Sequence, residues 1–227
     1  MINTFTHMQQ LPEFTAVIFD MDGVLINSET FYSEMEQVHF RMLGLNIPHE
    51  EHVTYQGTAT DEMWRTIKEK HGVPHSLEEL VEMTGSLTIP AFQEMEEIPL
   101  MPKITDLLEL LKGKNIPLAL ASSSYPEVID IVLDKSGLRK YFPITVNSKM
   151  VGKSKPAPDI FLLAAKLLGV DPGQCLVFED STNGIRAARD AGMYCIAYNG
   201  PGAEFQDQSQ AQQIITDYGE IIRILGE

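Results

Sequence analysis

Two carboxylates follow the first apolar run of the sequence. Residues 16–19 predict a buried strand, and Asp20 and Asp22 come at its end, before Gly23 turns the chain. Because side chains in an extended segment repeat every two residues, both acids leave the strand on the same side. Two acids this close repel each other unless they share a divalent metal or a proton, so the pair suggests one of these nearby. An acidic turn that caps a helix or faces water would explain the pair equally well.

Polar residues also follow three later apolar runs. Each set has an ordinary structural explanation, because serines after a strand commonly cap the next helix and lysines in loops are usually solvated. Lys155 differs, since Pro156 and Pro158 hold the backbone just after it. Adjacent acids at a strand end repel unless a cation lies between them. The residues are Ser122, Ser123 and Ser124 after the second run, Lys155 after the third, and Glu179 and Asp180 after the fourth.

Together these residues could carry phosphoryl transfer through an aspartate. Asp20 would attack phosphorus in line and form an aspartyl phosphate, which water would later open. Asp22 would protonate the leaving oxygen and afterwards deprotonate that water. The non-bridging oxygens would be bound by three groups, the hydroxyl of Ser122, the amide of Ser123 and the ammonium of Lys155.

The same acids could hold a metal ion. Asp20, Asp180 and Glu179 would offer hard oxygen ligands to Mg2+, and a backbone carbonyl near Asp22 would complete the protein's share. The ion would offset the repulsion between an anionic nucleophile and an anionic phosphate. The sequence therefore predicts Mg2+ as the cofactor.

A parallel sheet would bring these strand ends together. From residue 103 onwards, strand-like runs alternate with helical patterns, which indicates an α/β fold with a Rossmann-like parallel sheet core and helices on both faces. Ligands bind beyond the carboxyl ends of the strands in such folds. The C-terminal residues 206–225 should cover an edge of the sheet. Strands are expected near 15–20, 116–122, 144–147, 176–179 and 194–198, and helices near 103–114, 126–136, 158–168 and 182–191.

An insertion separates the first two strands. Nearly a hundred residues lie between them, far more than a strand-helix-strand crossover requires. Asp61 and Ser76 are candidate N-caps within it. Apolar residues spaced three and four apart predict helices at 31–43, 61–71, 76–83 and 87–95.

The inserted helices predict two domains. We expect a helical cap domain at residues 28–98, inserted into a catalytic core domain made of residues 1–27 and 99–227. Residues 1–13 have the composition of a loose polar leader. None of the histidines falls in the polar sets above, so packed or solvated roles are expected for them.

Composition excludes several classes of protein. The 227 residues are 44% hydrophobic with a formal charge of −15, so a nucleic-acid-binding surface is improbable, and no apolar stretch has the length of a membrane span. Cys175 and Cys195 lie in apolar runs and predict buried thiols, as in a reducing cytoplasm. We expect a cytoplasmic monomer or weak homodimer whose partner is a small phosphorylated metabolite.

The polar sets also form recognisable motifs, and the sequence resembles the haloacid dehalogenase superfamily of phosphotransferases with a helical cap. The similarity covers nearly the whole chain and points to the β-phosphoglucomutase-like branch. That resemblance implies that Asp20 is the nucleophile and Asp22 the acid and base, whereas dehalogenases do not use the second aspartate. The motifs are Phe19-Asp20-Met-Asp22-Gly23-Val-Leu, Ala121-Ser122-Ser123, Lys155-Pro156-Ala-Pro158-Asp159 and Phe178-Glu179-Asp180-Ser181-Thr-Asn-Gly184-Ile.

Within this branch, the residues that differ from those of β-phosphoglucomutases indicate whether the chain is a phosphatase or a phosphomutase. β-Phosphoglucomutases carry a histidine where this chain has Tyr32, a lysine and an arginine in the cap loop where it has Gln56 and Thr60, and a Lys-Asn pair where it has Tyr125-Pro126. A mutase must hold a bisphosphate at both ends, and the cations for that grip are missing. We therefore predict a Mg2+-dependent phosphatase of small phosphomonoesters. A sugar phosphomutase is the alternative, and a receiver-like signalling module is a distant third that the cap and Asp22 argue against.

Further candidates would bind the substrate, and those in the cap and on the connection to it would contact its leaving group. Because the cap surface is neutral and rich in hydrogen-bonding groups, it suits a sugar or nucleoside. A solvated loop or a helix cap is an equally simple explanation for most of them. The candidates are Gln56, Gly57 and Thr60 in the cap, Glu29 on the connection to it, and Ser123 and Ser124 in the core.

Overall fold

The computed structural model describes residues 10–226, without the side chains of Glu29 and Thr30. The expected leader at residues 1–13 therefore falls mostly outside the described residues. The proposed substrate contact of the Glu29 side chain also lies outside them. Within the described part of the chain, no helix is both long enough and apolar enough to cross a membrane.

Six parallel strands form one sheet, as the alternating pattern predicted. They lie in the order β3-β2-β1-β4-β5-β6, so the strand before Asp20 is central. Phe19 is level with Leu120 of β2 and Phe178 of β4, which aligns the carboxyl ends of three strands. The strands are β1 (Ala16–Phe19), β2 (Leu118–Ser122), β3 (Ile144–Asn147), β4 (Cys175–Glu179), β5 (Tyr194–Tyr198) and β6 (Gln213–Ile215). The C-terminal residues thus cover the edge of the sheet as a sixth strand followed by a helix.

Helices cover both faces of the sheet. Val17 and Phe19 point into one hydrophobic cluster and Ala16 and Ile18 into another, because successive side chains of a strand face opposite ways. The first face carries α5 (Ile104–Gly113), α6 (Pro126–Lys135) and α9 (Gly219–Gly226), and the second carries α7 (Asp159–Leu168) and α8 (Thr182–Asp190).

The insertion between β1 and β2 is helical and has its own core. Trp64 is fully buried there, and its Nε1 donates a hydrogen bond of 2.7 Å to Thr84 Oγ1. Phe40 packs edge-on against the Trp64 ring. The helices are α1 (Glu29–Met42), α2 (His49–His52), α3 (Thr60–His71) and α4 (Leu77–Glu94).

One long helix replaces the two predicted at 76–83 and 87–95. Helix α4 begins at a capping box between Ser76 and Glu79 and continues through Gly85 and Pro90. Glycine and proline are local helix breakers, but one face of α4 is buried at every fourth residue and so holds the helix together. The buried positions are Leu80, Thr84, Thr88 and Phe92.

The predicted N-cap at Asp61 is also wrong. Helix α3 begins at Thr60, and its N-cap is Ala59, whose side chain makes no capping bond. Asp61 instead lies in the first turn, where its negative charge stabilises the positive end of the helix dipole.

Candidate active site

The strand ends bring four distant charged residues into contact. Lys155 is 1% exposed, and its Nζ donates hydrogen bonds to Asp20 Oδ1 at 2.6 Å and to Glu179 Oε1 at 2.7 Å. Carboxylate oxygens of Asp20, Glu179 and Asp180 all lie within 4.8 Å of one another. A buried lysine is thus paired with acids from two neighbouring strands, and one further acid stands beside them.

Glu179 accepts hydrogen bonds on both of its oxygens. Oε2 accepts from the amides of Asp180 and Ser181 at 2.7 and 2.8 Å and from the Ser181 hydroxyl at 3.0 Å, while Oε1 accepts from Lys155. The backbone of Gly184 passes so close that an added Cβ would lie 1.6 Å from Glu179 Oε1. These contacts suit Glu179 to fixing the loop after β4 and orienting Lys155.

Asp180 approaches the turn after β1 because that turn contains a glycine. Gly23 has a φ of +73°, which suits a residue without a side chain, and a Cβ there would lie 2.0 Å from Asp180 Oδ2. Gly23 therefore leaves room for an acid from β4 to stand beside Asp20.

Asp22 is held by hydroxyl groups. Ser28 donates to its Oδ1 at 2.6 Å, and Ser124 donates to its Oδ2 at 2.5 Å. The hydroxyl of Tyr32, on the first cap helix, lies 3.1 Å from Ser124 Oγ. The sequence suggested substrate binding for Ser124, whereas the structure puts it on Asp22. Nothing in the sequence indicated a role for Ser28, which reaches Asp22 because the chain turns back at Gly23.

Burial and neighbouring charge set the protonation of these groups. Burial raises the pKa of Asp20 to about 8, since Glu179 and Asp22 add to the effect and Lys155 only partly opposes it. Burial alone would lower the pKa of Lys155, but the two carboxylates beside it outweigh burial and raise it. Burial also raises the pKa of Asp22, although the bonds from Ser124 and Ser28 act in the opposite direction.

A cap loop is fastened to the core above these acids. Ser123 Oγ donates to the carbonyl of Gly57 at 2.9 Å, and a Cβ on Gly57 would lie 2.1 Å from Ser181 Oγ. The side chain of Gln56 accepts a hydrogen bond from Gln206 Nε2. Gln56, Gly57 and Ser123 thus join cap to core.

A cavity of about 410 Å³ lies between the cap and the core. Glu34, Glu36 and Glu204 also line it, so its wall is acidic rather than neutral as the sequence suggested. Ser122 lies behind the wall, where its Oγ accepts from the amide of Ser124 at 3.1 Å. The predicted residues that line the cavity are Asp20, Asp22, Asp180, Ser123, Ser124, Gln56, Gly57 and Thr60.

Known proteins are similar to this chain in sequence and in fold. A family model for haloacid dehalogenase-like hydrolases matches residues 14–192. The chain is 33% identical over 219 residues to a probable pseudouridine-5'-phosphatase of Drosophila melanogaster, covering 92% of each protein. It is also 33% identical to the fructose-1-phosphate phosphatase of Escherichia coli, over 79% of this chain and 94% of that one.

A solved structure places the chain within the family. It is that of a putative β-phosphoglucomutase from Thermotoga maritima, which superposes with a TM-score of 0.65 and is 30% identical, covering 93% of this chain and 98% of that one. The chain therefore belongs to the haloacid dehalogenase-like hydrolase family, as a phosphohydrolase of its β-phosphoglucomutase-like branch.

Proposed function

We propose that this protein is a Mg2+-dependent phosphatase that hydrolyses a small organic phosphomonoester through an aspartyl phosphate on Asp20. The observation that carries the proposal is the gathering of Asp20, Lys155, Glu179 and Asp180 at one rim of the sheet, under a cavity that also contains Asp22.

The acidic cluster fits Mg2+. Its donors are carboxylate oxygens within 4.8 Å of one another, and hard oxygen ligands are those that Mg2+ prefers. Asp20, Asp180 and the backbone carbonyl of Asp22 would hold the ion. Glu179 would support them, because its oxygens already accept four hydrogen bonds. When bound, the ion neutralises charge on the phosphate and on the attacking carboxylate.

The remaining steps belong to residues of this chain. The Asp20 carboxylate attacks phosphorus, and the bond from phosphorus to the leaving oxygen breaks as Asp22 donates a proton to that oxygen. Asp22 then takes a proton from water, whose oxygen attacks the aspartyl phosphate and releases inorganic phosphate and free Asp20. Throughout, the Ser123 amide and Lys155 would bind the non-bridging oxygens, while the Ser122 hydroxyl, behind the cavity wall, would hold the Ser124 amide in place.

The substrate would be a sugar phosphate or a nucleotide-like ester. The two relatives are named for a pseudouridine phosphate and a fructose phosphate, and a cavity of about 410 Å³ has room for leaving groups of this size. The cap domain, residues 28–98, would close over the substrate, and the core domain would supply the chemistry. Gln56, Gly57 and Thr60 would contact the leaving group, Gln56 and Gly57 through the closed cap loop.

A phosphomutase of the same branch is the second candidate, since the structural relative carries that name. Among the described residues that line the cavity, none is lysine or arginine, so a second phosphate would lack the permanently charged partners that hold a bisphosphate at both ends. Water is therefore the better final acceptor. We also expect a monomer or weak homodimer in a reducing cytoplasm, where the buried Cys175 and Cys195 remain thiols.

The proposal is tested by measuring phosphate release from a panel of sugar phosphates and nucleoside monophosphates. Each ester is assayed with Mg2+ and with a chelator. We expect turnover only with the metal. The variant Asp20→Asn should lose turnover by about a thousandfold or more while keeping the circular dichroism spectrum of the wild type. Substantial hydrolysis by this variant would exclude Asp20 as the nucleophile, and faster isomerisation than hydrolysis of β-glucose 1-phosphate would favour the mutase.

A further inference from the structure

Three glutamates line the cavity away from the reacting acids. Glu34 and Glu36 line it from α1, and Glu204 lines it from the loop after β5. No lysine or arginine lies among the lining residues that the structure describes. The phosphate being transferred would have Lys155 beneath it, but a second anionic group in the cavity would meet three carboxylates, with only the imidazoles of His49 and His52 as possible partners. The wall therefore disfavours a leaving group that is itself negatively charged.

Glu36 is held in a fixed orientation at this wall. Nε2 of His52 donates a hydrogen bond to its Oε2. His52 is buried, and its ring packs edge-on against Phe40 with the centroids 5.3 Å apart. The Glu36 side chain remains 22% exposed and lines the cavity, so its Oε1 can accept a hydrogen bond from a ligand.

Glu36 lies about one turn of α1 from the residues at the reacting end. It follows Tyr32 by four residues, a rise of about 6 Å along the helix axis. The Tyr32 hydroxyl lies 3.1 Å from Ser124 Oγ, and Ser124 contacts Asp22. Because Asp22 would protonate the leaving oxygen and both residues line the same cavity, Glu36 is available to contact the more distant atoms of a leaving group.

We propose that Glu36, oriented by His52, selects the leaving group of the substrate. A hydroxyl of a neutral polyhydroxy leaving group donates a hydrogen bond to the Glu36 carboxylate, whereas a second phosphate or a carboxylate on that group is repelled. This inference rests on the proposed phosphatase function and adds the class of its substrate. Glu36 determines specificity and takes no part in breaking the phosphate ester.

Pairs of esters that differ in charge test the selection by the wild type. Glucose 6-phosphate is compared with 6-phosphogluconate, and fructose 1-phosphate with fructose 1,6-bisphosphate, with p-nitrophenyl phosphate as a reference that has no hydroxyl to donate. We expect kcat/KM to be at least about tenfold lower for the more anionic member of each pair. Equal kcat/KM within both pairs would overturn the inference.

The variant Glu36→Gln tests the residue itself. We expect KM for the better neutral ester to rise at least about tenfold, because a hydrogen bond to a charged acceptor is lost, and the discrimination against 6-phosphogluconate to weaken. Turnover of p-nitrophenyl phosphate should change less than about twofold, which also shows that the variant folds. His52→Asn should raise the same KM by a smaller factor. The matched control is Glu69→Gln, an exposed acid on α3 outside the cavity, which should leave all the ratios unchanged.

Two failures can be told apart. If Glu36→Gln alters the neutral ester and p-nitrophenyl phosphate equally, or alters neither, the inference about Glu36 is wrong and the phosphatase stands. If the wild type releases no phosphate from any ester with Mg2+, p-nitrophenyl phosphate included, the proposed function falls and the inference falls with it.

Discussion

Asp20 and Asp22 stand two positions apart in surroundings that suit them to different steps. Asp20 contacts the ammonium of Lys155, which orients its carboxylate. Asp22 instead accepts hydrogen bonds from the hydroxyls of Ser28 and Ser124, and Lys155 acts on it only through its charge. A carboxylate fixed by a cation suits attack on phosphorus, and one held by hydroxyls in a buried place suits proton exchange.

Protons and Mg2+ should compete for Asp20. Its pKa is raised by burial, so at low pH the metal-free protein holds a proton on the carboxyl that the ion must displace. We expect Mg2+ affinity to rise with pH and to level off once Asp20 is ionised. Calorimetry in two buffers of different ionisation heat should show net proton release on Mg2+ binding at the lower pH values. An affinity that does not change with pH would contradict the prediction.

Removing the Ser124 hydroxyl should slow the chemical step. In Ser124→Ala, Asp22 loses a donor that lowers its pKa, so the pKa rises. The ionisation of Asp22 in the kcat profile moves to higher pH, and the step in which Asp22 accepts a proton from water is slowed near neutral pH. We expect kcat to fall about tenfold with little change in KM. Ser86→Ala, which removes an exposed hydroxyl on α4, is the control. A rise in KM alone would instead favour the substrate-binding role that the sequence suggested for Ser124.

At the scale of elements, the cap loop meets the core at a glycine. Gly57→Ala should push this loop away, because its Cβ would lie 2.1 Å from Ser181 Oγ and its φ is +74°. We expect KM to rise about tenfold or more as closure becomes less favourable. Gly72→Ala is the matched control, since Gly72 has a similar φ of +66° with nothing within 4 Å. It should lower the free energy of unfolding by about 1 kcal/mol and leave KM unchanged.

The end of helix α4 is tied to the core by one lysine. Lys135 of α6 donates to the carbonyls of Phe92, Gln93 and Met95 at 3.3, 2.5 and 2.7 Å. These carbonyls lie at the negative end of the helix, which a cation stabilises. The contact therefore anchors the last cap helix to the core.

Lys135→Met should loosen this anchor. We expect the free energy of unfolding to fall by about 0.5–1 kcal/mol, measured by urea denaturation. Lys166→Met, in the last turn of α7, removes a similar charge from an exposed helix end and should cost less. If both variants lost the same free energy of unfolding, the three hydrogen bonds of Lys135 would add nothing to the effect of a positive charge at a helix end.

At the scale of the whole molecule, the sequence predicts those features of the fold that depend on local residue patterns. Apolar runs bounded by polar residues place β1 to β5 within about two residues, and the order of the polar sets brings Asp20 and Lys155 to one rim. The continuity of α4 escapes prediction, since burial of one face overrides the local effect of Pro90. The pairing of Glu36 with His52 escapes as well, because two helices must pack before these side chains meet.

The central position of β1 has a consequence for synthesis. Its partner β4 lies far along the chain, so a ribosome makes Asp20 long before Glu179 and Asp180. The acids cannot gather around a cation until most of the protein has been translated. We therefore expect a chain that ends before Glu179 and Asp180 to lack the acidic cluster and to hydrolyse no phosphate ester.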